Sequence, residues 1–285
     1  MRPAPRATIR VRNAWSRAGR NCGDARIDAF VTTVLIIGAA ALFSALGVLA
    51  GRRLIRAHVA AFHNEVMISL FAAAGVVYAV LLGFLVVVVW EAYDGAHRNL
   101  ADEAATLVPL YRLTFGMQAK EGTEMRKLIR GYAEAVIQDE WPTLGTSRAG
   151  SMKARRAIGD IDRVFARIDP ATKAADAQVD SEFLSTKSKV VADRNERLLE
   201  ANDTIPWVMW LGAVGGGAIV MLMSFFIYME SAWPHLLMTS LMGSLIGLLL
   251  SIMAMLANPF TGPLALSAEH FHSALSVMDD ADRGY

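Results

Sequence analysis

The chain has 285 residues, 54% of them hydrophobic, with a mean hydropathy of +0.35 and a formal net charge of +1. That near-neutral balance carries no electrostatic footprint for a nucleic-acid partner. A single cysteine, Cys22, excludes an internal disulfide and any cysteine-based metal centre. The apolar excess over an ordinary globular chain falls in blocks, as membrane spans do.

Residues 1–28 open the chain with a basic segment. Seven arginines and one acid, Asp24, lie within residues 1–27. No apolar periodicity stands out, and a disordered tail is expected. Span one follows at 29–50, an uncharged run too long for the core of a cleaved leader and long enough to cross a bilayer. Gly51, Arg52, Arg53 and Arg56 close it, and a polar link with His58, His63, Asn64 and Glu65 leads on. Span two, 66–90, carries no charge. At ~1.5 Å rise per residue it is about 37 Å long, against a hydrocarbon core of about 30 Å. Its helical beat continues into water through Leu100, Ala104, Leu107 and Tyr111, with a bend or an end expected near Pro109. Spans one and two form a first transmembrane hairpin, 29–90.

Residues 91–205 contain no long apolar run and read as a helical water-facing domain. Met125, Leu128, Ile129, Tyr132, Val136 and Ile137 mark an amphipathic helix that Trp141-Pro142 is expected to stop. A loop is expected over 143–151. Ile158, Ile161, Phe165 and Ile168 mark the next helix. Asp169-Pro170 is read as the cap and first turn of a last one, carrying Val179, Phe183, Val190 and Leu198. Spans three (205–229) and four (236–257) form a second hairpin, 206–257. The segment Asn258-Pro259-Phe260-Thr261-Gly262 ends it, and a tail, 258–285, has one amphipathic stretch around Phe271, Leu275 and Met278. The fold class expected is an all-α integral membrane protein, with four transmembrane helices and a helical domain inserted between spans two and three. Trp90, Tyr93, Trp207 and Trp210 at one set of span ends, and Tyr228 and Trp233 at the other, fit interfacial aromatic belts. Four arginines from Arg12 to Arg26, against Arg52, Arg53 and Arg56, put both termini and the domain in the cytoplasm.

No phosphate-binding loop, nucleophile elbow, zinc-protease or EF-hand motif occurs, so neither an enzyme nor a cofactor is expected. His270 and His272 are too few for a metal site, and none is expected. Gly75, Ala79 and Gly83 form a small-residue stripe on span two, and Ser240, Gly243, Gly247 and Ser251 another on span four. Such stripes let helices approach closely, or leave room for an ion in a pore wall. Phe84, Val86 and Val87 make the end of span two bulky and apolar. They are either a core segment or a ring that gates by dewetting. Glu91 and Glu230 are interface charges that either reach into headgroups or form carboxylate rings in an oligomer.

Several short motifs, taken together, resemble the bacterial bestrophin-like family of four-span membrane proteins. They are His63-Asn64-Glu65, the run from Gly75 to Phe84, and Val89-Trp90-Glu91-Ala92-Tyr93. Downstream lie Glu103-Ala104-Ala105, Leu110-Tyr111-Arg112-Leu113, Tyr132-Ala133, Glu140-Trp141-Pro142, Arg197-Leu198-Leu199, Pro206 with Trp210, and Asn258 to Gly262. The resemblance spans about residues 50–270. It implies a multi-pass protein of the bacterial inner membrane and a ring-shaped homo-oligomer in the lipid bilayer. It also implies conduction of a chloride-like anion, with span two lining the pore. The alternative is a non-conducting scaffold or sensor whose helical domain binds a protein partner.

Overall fold

The structure, a computed structural model, describes residues 7–54, 60–147, 149–168, 177–203 and 205–284. Among the described residues it is helical, with no strand. The helices are α1 (Ala7–Leu54), α2 (Ala60–Leu113), α3 (Ala119–Ala135), α4 (Trp141–Ser147) and α5 (Met152–Ala166). They continue as α6 (Ala177–Asn202), α7 (Trp207–Trp210), α8 (Gly216–Phe225), α9 (Ala232–Leu256) and α10 (Glu269–Asp282). Four stretches are long and apolar enough to cross a membrane: Phe30–Arg53, Asn64–Gly116, Trp207–Phe225 and Ala232–Leu256. The chain is therefore an all-α integral membrane protein with four spanning helices. Contacts divide it into two compact units, to both of which α2 contributes.

The first unit comprises Met1–Glu91, Thr204–Asn258 and Gly262–Leu264. Here α9 lies against α1 with small residues at the crossing. A Cβ on Gly243 would sit 2.0 Å from Ser44 Oγ, and one on Gly247 3.0 Å from the Ala40 Cβ. The close-packing reading of the span-four stripe therefore holds. Lipid cannot bond a polar group, so the hydroxyls bond within the protein. Ser44 donates to Ala40 O at 2.6 Å and Ser251 to Leu248 O at 2.7 Å. On α2 the buried face is Tyr78, Leu82, Leu85 and Val89, spaced four, three and four. The Tyr78 hydroxyl donates to Ala213 O at 3.0 Å, within a π turn, Leu211–Gly215, that widens the path into α8.

Two side chains hold the short connection between α8 and α9. Arg52 donates to Met229 O at 2.8 Å and to Glu230 O at 3.3 Å. Asn64 pairs with the Tyr228 backbone in both directions, at 2.5 and 2.7 Å.

The second unit comprises Ala92–Asp203, Pro259–Thr261 and Ala265–Tyr285. Its core joins Leu100, Ala104, Leu107 and Tyr111 of α2 to Met125, Ile129 and Tyr132 of α3, Ile161 of α5, Phe183 and Val190 of α6, and Phe271 and Met278 of α10. Phe165 and Phe183 stack at 5.5 Å.

Several expectations change. The basic segment is not a disordered tail from Ala7 onward, because α1 starts there. No proline follows Pro5 until the helix is long past, and alanine and arginine are strong helix formers. Val11, Trp15, Ala18 and Cys22 recur at steps of three and four, a stripe muted by its small members. Residues 1–6 of that segment lie outside the described residues. Trp141-Pro142 does not stop the helical path. A π turn, Val136–Glu140, precedes it, and Pro142 sits in the first turn of α4, where its missing N–H costs no ladder bond. The expected loop thus begins only after Ser147. Pro109 does not end α2, which runs on to Leu113 and closes in a 3₁₀ turn, Thr114–Gly116. The Asp169-Pro170 cap lies outside the described residues. The tail is no separate segment: from Ala265 it belongs to the second unit and supplies part of its core.

Gly51 sets a sharp test of the α1 packing, since a Cβ there would stand 2.4 Å from the Phe225 carbonyl oxygen. Gly51→Ala should cost about 1–3 kcal/mol through overpacking. Gly38→Ala, with open space around it, should leave the thermal midpoint in detergent unchanged. Equal midpoints for the two variants would contradict this packing.

Candidate functional site

The membrane half of α2 presents two faces. Opposite the buried one, Phe84 is 68% exposed and Val87 52%. Val86 is half-buried, as is Gly75, and Ala79 and Gly83 are exposed. A Cβ on Gly75 or Gly83 would meet nothing within 4 Å. Within one chain, then, the small-residue stripe of span two is not a packing face, in contrast to that of span four. Helix α2 instead buries Tyr78, Leu82, Leu85 and Val89 and leaves Ala79 and Gly83 open beside a row of exposed bulky residues, Val76, Val77, Val80, Phe84, Val87 and Val88. Glu91 and Glu230 are both exposed, and neither joins an ion pair among the described residues. The Glu230 carbonyl, not its carboxylate, is what Arg52 holds.

The second unit contains a buried ion network. Its members come from α2 (Glu103), α3 (Tyr132), the π turn (Glu140) and α6 (Arg194 and Arg197). Glu103, Glu140 and Arg197 are completely buried and Arg194 is 4% exposed. Arg197 donates through Nε to Glu103 Oε2 at 2.7 Å and through Nη2 to Glu140 Oε1 at 2.7 Å. Arg194 donates to Glu140 Oε2 at 2.6 Å, and the Ser151 backbone N–H reaches the same oxygen at 2.6 Å. The Tyr132 hydroxyl donates to Glu103 Oε1. The Arg197 guanidinium also lies 5.9 Å from the rings of both Trp141 and Phe271, within cation–π range. Two carboxylates face two guanidiniums, so the network is neutral as a whole.

An outer layer of charges holds α10. Arg130 pairs with Asp279 at 2.6 Å and Asp282 at 2.9 Å, and the Tyr111 hydroxyl donates to Asp282 at 2.7 Å. His270 sets its ring against His97 at 5.4 Å. Among the described residues no group of three or more His, Cys, Asp or Glu is placed to hold a metal ion.

Residues 38–271 match the bestrophin-like domain. The chain belongs to the bestrophin-like family. No curated protein matches it. A crystal structure described only as that of a membrane protein superposes with a TM-score of 0.68 at 12% identity, over 87% of this chain and 98% of that one. Two structures of a bacterial bestrophin homologue from Klebsiella pneumoniae give TM-scores of 0.69 and 0.68, each at 12% identity. They cover 88% and 87% of this chain and 97% of theirs. At that identity the likeness is one of fold.

In this bestrophin-like chain the motif residues Glu103, Tyr132, Glu140 and Arg197, far apart in sequence, meet in one network. Sequence reasoning singled them out separately and did not pair them. The signal was there: Glu103 interrupts the apolar stripe of Leu100, Ala104 and Leu107, and Arg194 and Arg197 continue that of Phe183 and Val190. A charge on the buried stripe of an amphipathic helix demands a partner. Burial pushes the Glu140 carboxyl up, but Arg197 and Arg194 outweigh it and hold it below its ordinary value. Burial likewise opposes the charge on Arg197, and Glu103, Tyr132 and Glu140 outweigh it. Burial raises the Tyr132 hydroxyl far enough to keep it a neutral donor.

Because the Glu140 carboxyl is depressed in the folded protein, its contribution to stability is complete above its unfolded value, about 4.3. That contribution is lost as pH falls through the folded value. Glu140→Gln should cost about 3–5 kcal/mol by leaving buried guanidiniums without their counter-charge. It should also flatten the acid limb of a circular-dichroism stability profile. A variant as stable as the parent at neutral pH would contradict the network's role.

Proposed function

We propose that copies of this bestrophin-like chain assemble around an axis lined by the open face of α2 and pass small anions along it. The observation that carries this reading is the two-faced α2: Tyr78, Leu82, Leu85 and Val89 pack inward, while Ala79, Gly83, Phe84 and Val87 are exposed in their own chain and Gly75 is half-buried with open space at its Cβ position. Small residues there widen a path. Phe84, Val86 and Val87 narrow it with apolar surface, which gates by excluding water. The sign of the ion is taken from the family resemblance, since the face itself is uncharged. The exposed carboxylates of Glu91 and Glu230 are assigned to the headgroup layer, because carboxylate rings on the axis would favour cations. The family resemblance supports the bacterial inner membrane, and the arginine balance around span one favours the helical domain and both termini in the cytoplasm.

Purified protein in planar bilayers should give unitary anion currents. Phe84→Ala or Val86→Ala should raise the conductance or open time severalfold by removing apolar bulk. Glu91→Gln should leave the ion preference unchanged. A folded, assembled protein that carries no current would overturn the channel and favour the scaffold, whose second unit then needs a protein partner.

A further inference from the structure

The segment of α1 ahead of the first span has no part in the channel reading. From Ala7 to Asp28 it holds five arginines, Arg10, Arg12, Arg17, Arg20 and Arg26, against Asp24 and Asp28. The backbone is helical over this stretch and continues into the span that begins at Phe30. At about 100° per residue, the register positions of Arg10, Arg17 and Arg20 fall within an arc of about 80°. Those of Val11, Trp15, Ala18 and Cys22 fall within an arc of about 60° on the opposite side. Asp24 falls within the arginine arc, which keeps a net positive charge, and Ile9, Arg12 and Arg26 fall outside this division.

A helix divided in this way, with low overall hydrophobicity, arginine on one side and tryptophan on the other, has the composition of a segment that lies in a membrane interface. The partner that fits an arginine arc next to a span is the anionic headgroup of the adjoining leaflet. We infer that residues 7–22 form an interfacial anchor, lying on the leaflet through which span one enters and binding anionic phospholipid headgroups through Arg10, Arg17 and Arg20.

The geometry makes the idea testable. Extended straight from the span, the helix would carry residue 11 about 28 Å beyond Phe30, well clear of the membrane. Lying flat brings that residue to the headgroup level. Gly23, just past the last of these arginines, is the weak point at which the helix can turn.

The lone native cysteine simplifies labelling. Full-length protein carrying Cys22→Ala and Val11→Cys would take an environment-sensitive fluorophore at residue 11. It would then be reconstituted into phosphatidylcholine vesicles with and without phosphatidylglycerol. The expected result is a blue-shifted emission, quenched by lipid-borne nitroxides severalfold more strongly when phosphatidylglycerol is present. Both effects should be lost when Arg10, Arg17 and Arg20 are all changed to Gln, while the thermal midpoint of the helical bundle stays the same. The inference is overturned if the label stays aqueous in both vesicles, as it would if the arginines served a protein or nucleic acid instead. Equal insertion with and without phosphatidylglycerol, or in the Gln variant, overturns it as well.

Discussion

One guanidinium organises the second unit. Arg197 bridges Glu103 and Glu140, and solvent reaches none of the three. Removing three charges from water costs several kcal/mol per ion. The cost is met because geometry gives all four carboxylate oxygens a donor: Tyr132 and Arg197 at Glu103, Arg194, Arg197 and Ser151 at Glu140, leaving Arg194 Nε and Arg197 Nη1 as the buried guanidinium nitrogens without a bond among the described residues. Such a network adds little net stability over an apolar core of equal volume, but it is strongly destabilised when one partner is lost. Its structural consequence is register. A slip of α6 past α2 would take the Arg197 guanidinium away from Glu103. A regular α-helical continuation of α3 would carry Glu140 to a different azimuth from the one the π turn gives it. On this view the π turn is the local irregularity that completes the network, as such turns often are at functional positions.

The first unit follows a different rule. In lipid the apolar surroundings offer no hydrophobic gain from helix association, so contact area and close backbone approach decide which faces meet. Helices α1 and α9 meet through Ala40, Ser44, Gly243 and Gly247, where a methyl group would already clash. Helix α2 meets the bundle through Tyr78, whose ring fits over Gly216 and Gly217 and whose hydroxyl is bonded internally. The open face of α2 has neither kind of contact. A face that combines Ala79 and Gly83 with Phe84 and the exposed valines Val76, Val77, Val80, Val87 and Val88 is available to a second copy, to lipid or to a water path. The channel proposal assigns it to the last of these.

Much of this was legible in the sequence because hydrophobic blocks and helical stripes are strong signals. The four spans, the stripe through Leu100, Leu107 and Tyr111, and the short helix around Phe271 and Met278 appear where the pattern places them. The failures have physical causes. Proline at the first turn of a helix reads like proline that ends one, so the sequence alone makes Trp141-Pro142 a stop. Alanine and cysteine make an apolar stripe too faint to stand out, so the pattern starts the helix at residue 29 although α1 begins at Ala7. Small residues on α2 and on α9 read alike, as close packing or as a pore wall, because nothing in the sequence says which stripe meets a neighbour. The ion network escaped because pairing Glu103 with Arg197 needs tertiary contact, although each charge already sat on a buried stripe.

The direct test of which α2 face meets water is cysteine accessibility along that helix in the assembled protein, with Cys22→Ala as background. Single cysteines at positions 78, 79, 82, 83, 85 and 87 would be treated with a small water-soluble thiol reagent in membranes. The account predicts fast modification at 79, 83 and 87, with none at 78, 82 and 85. Protection of 79, 83 and 87 from the aqueous reagent, with labelling instead by a lipid-soluble one, would show that the open face meets lipid and would contradict the channel.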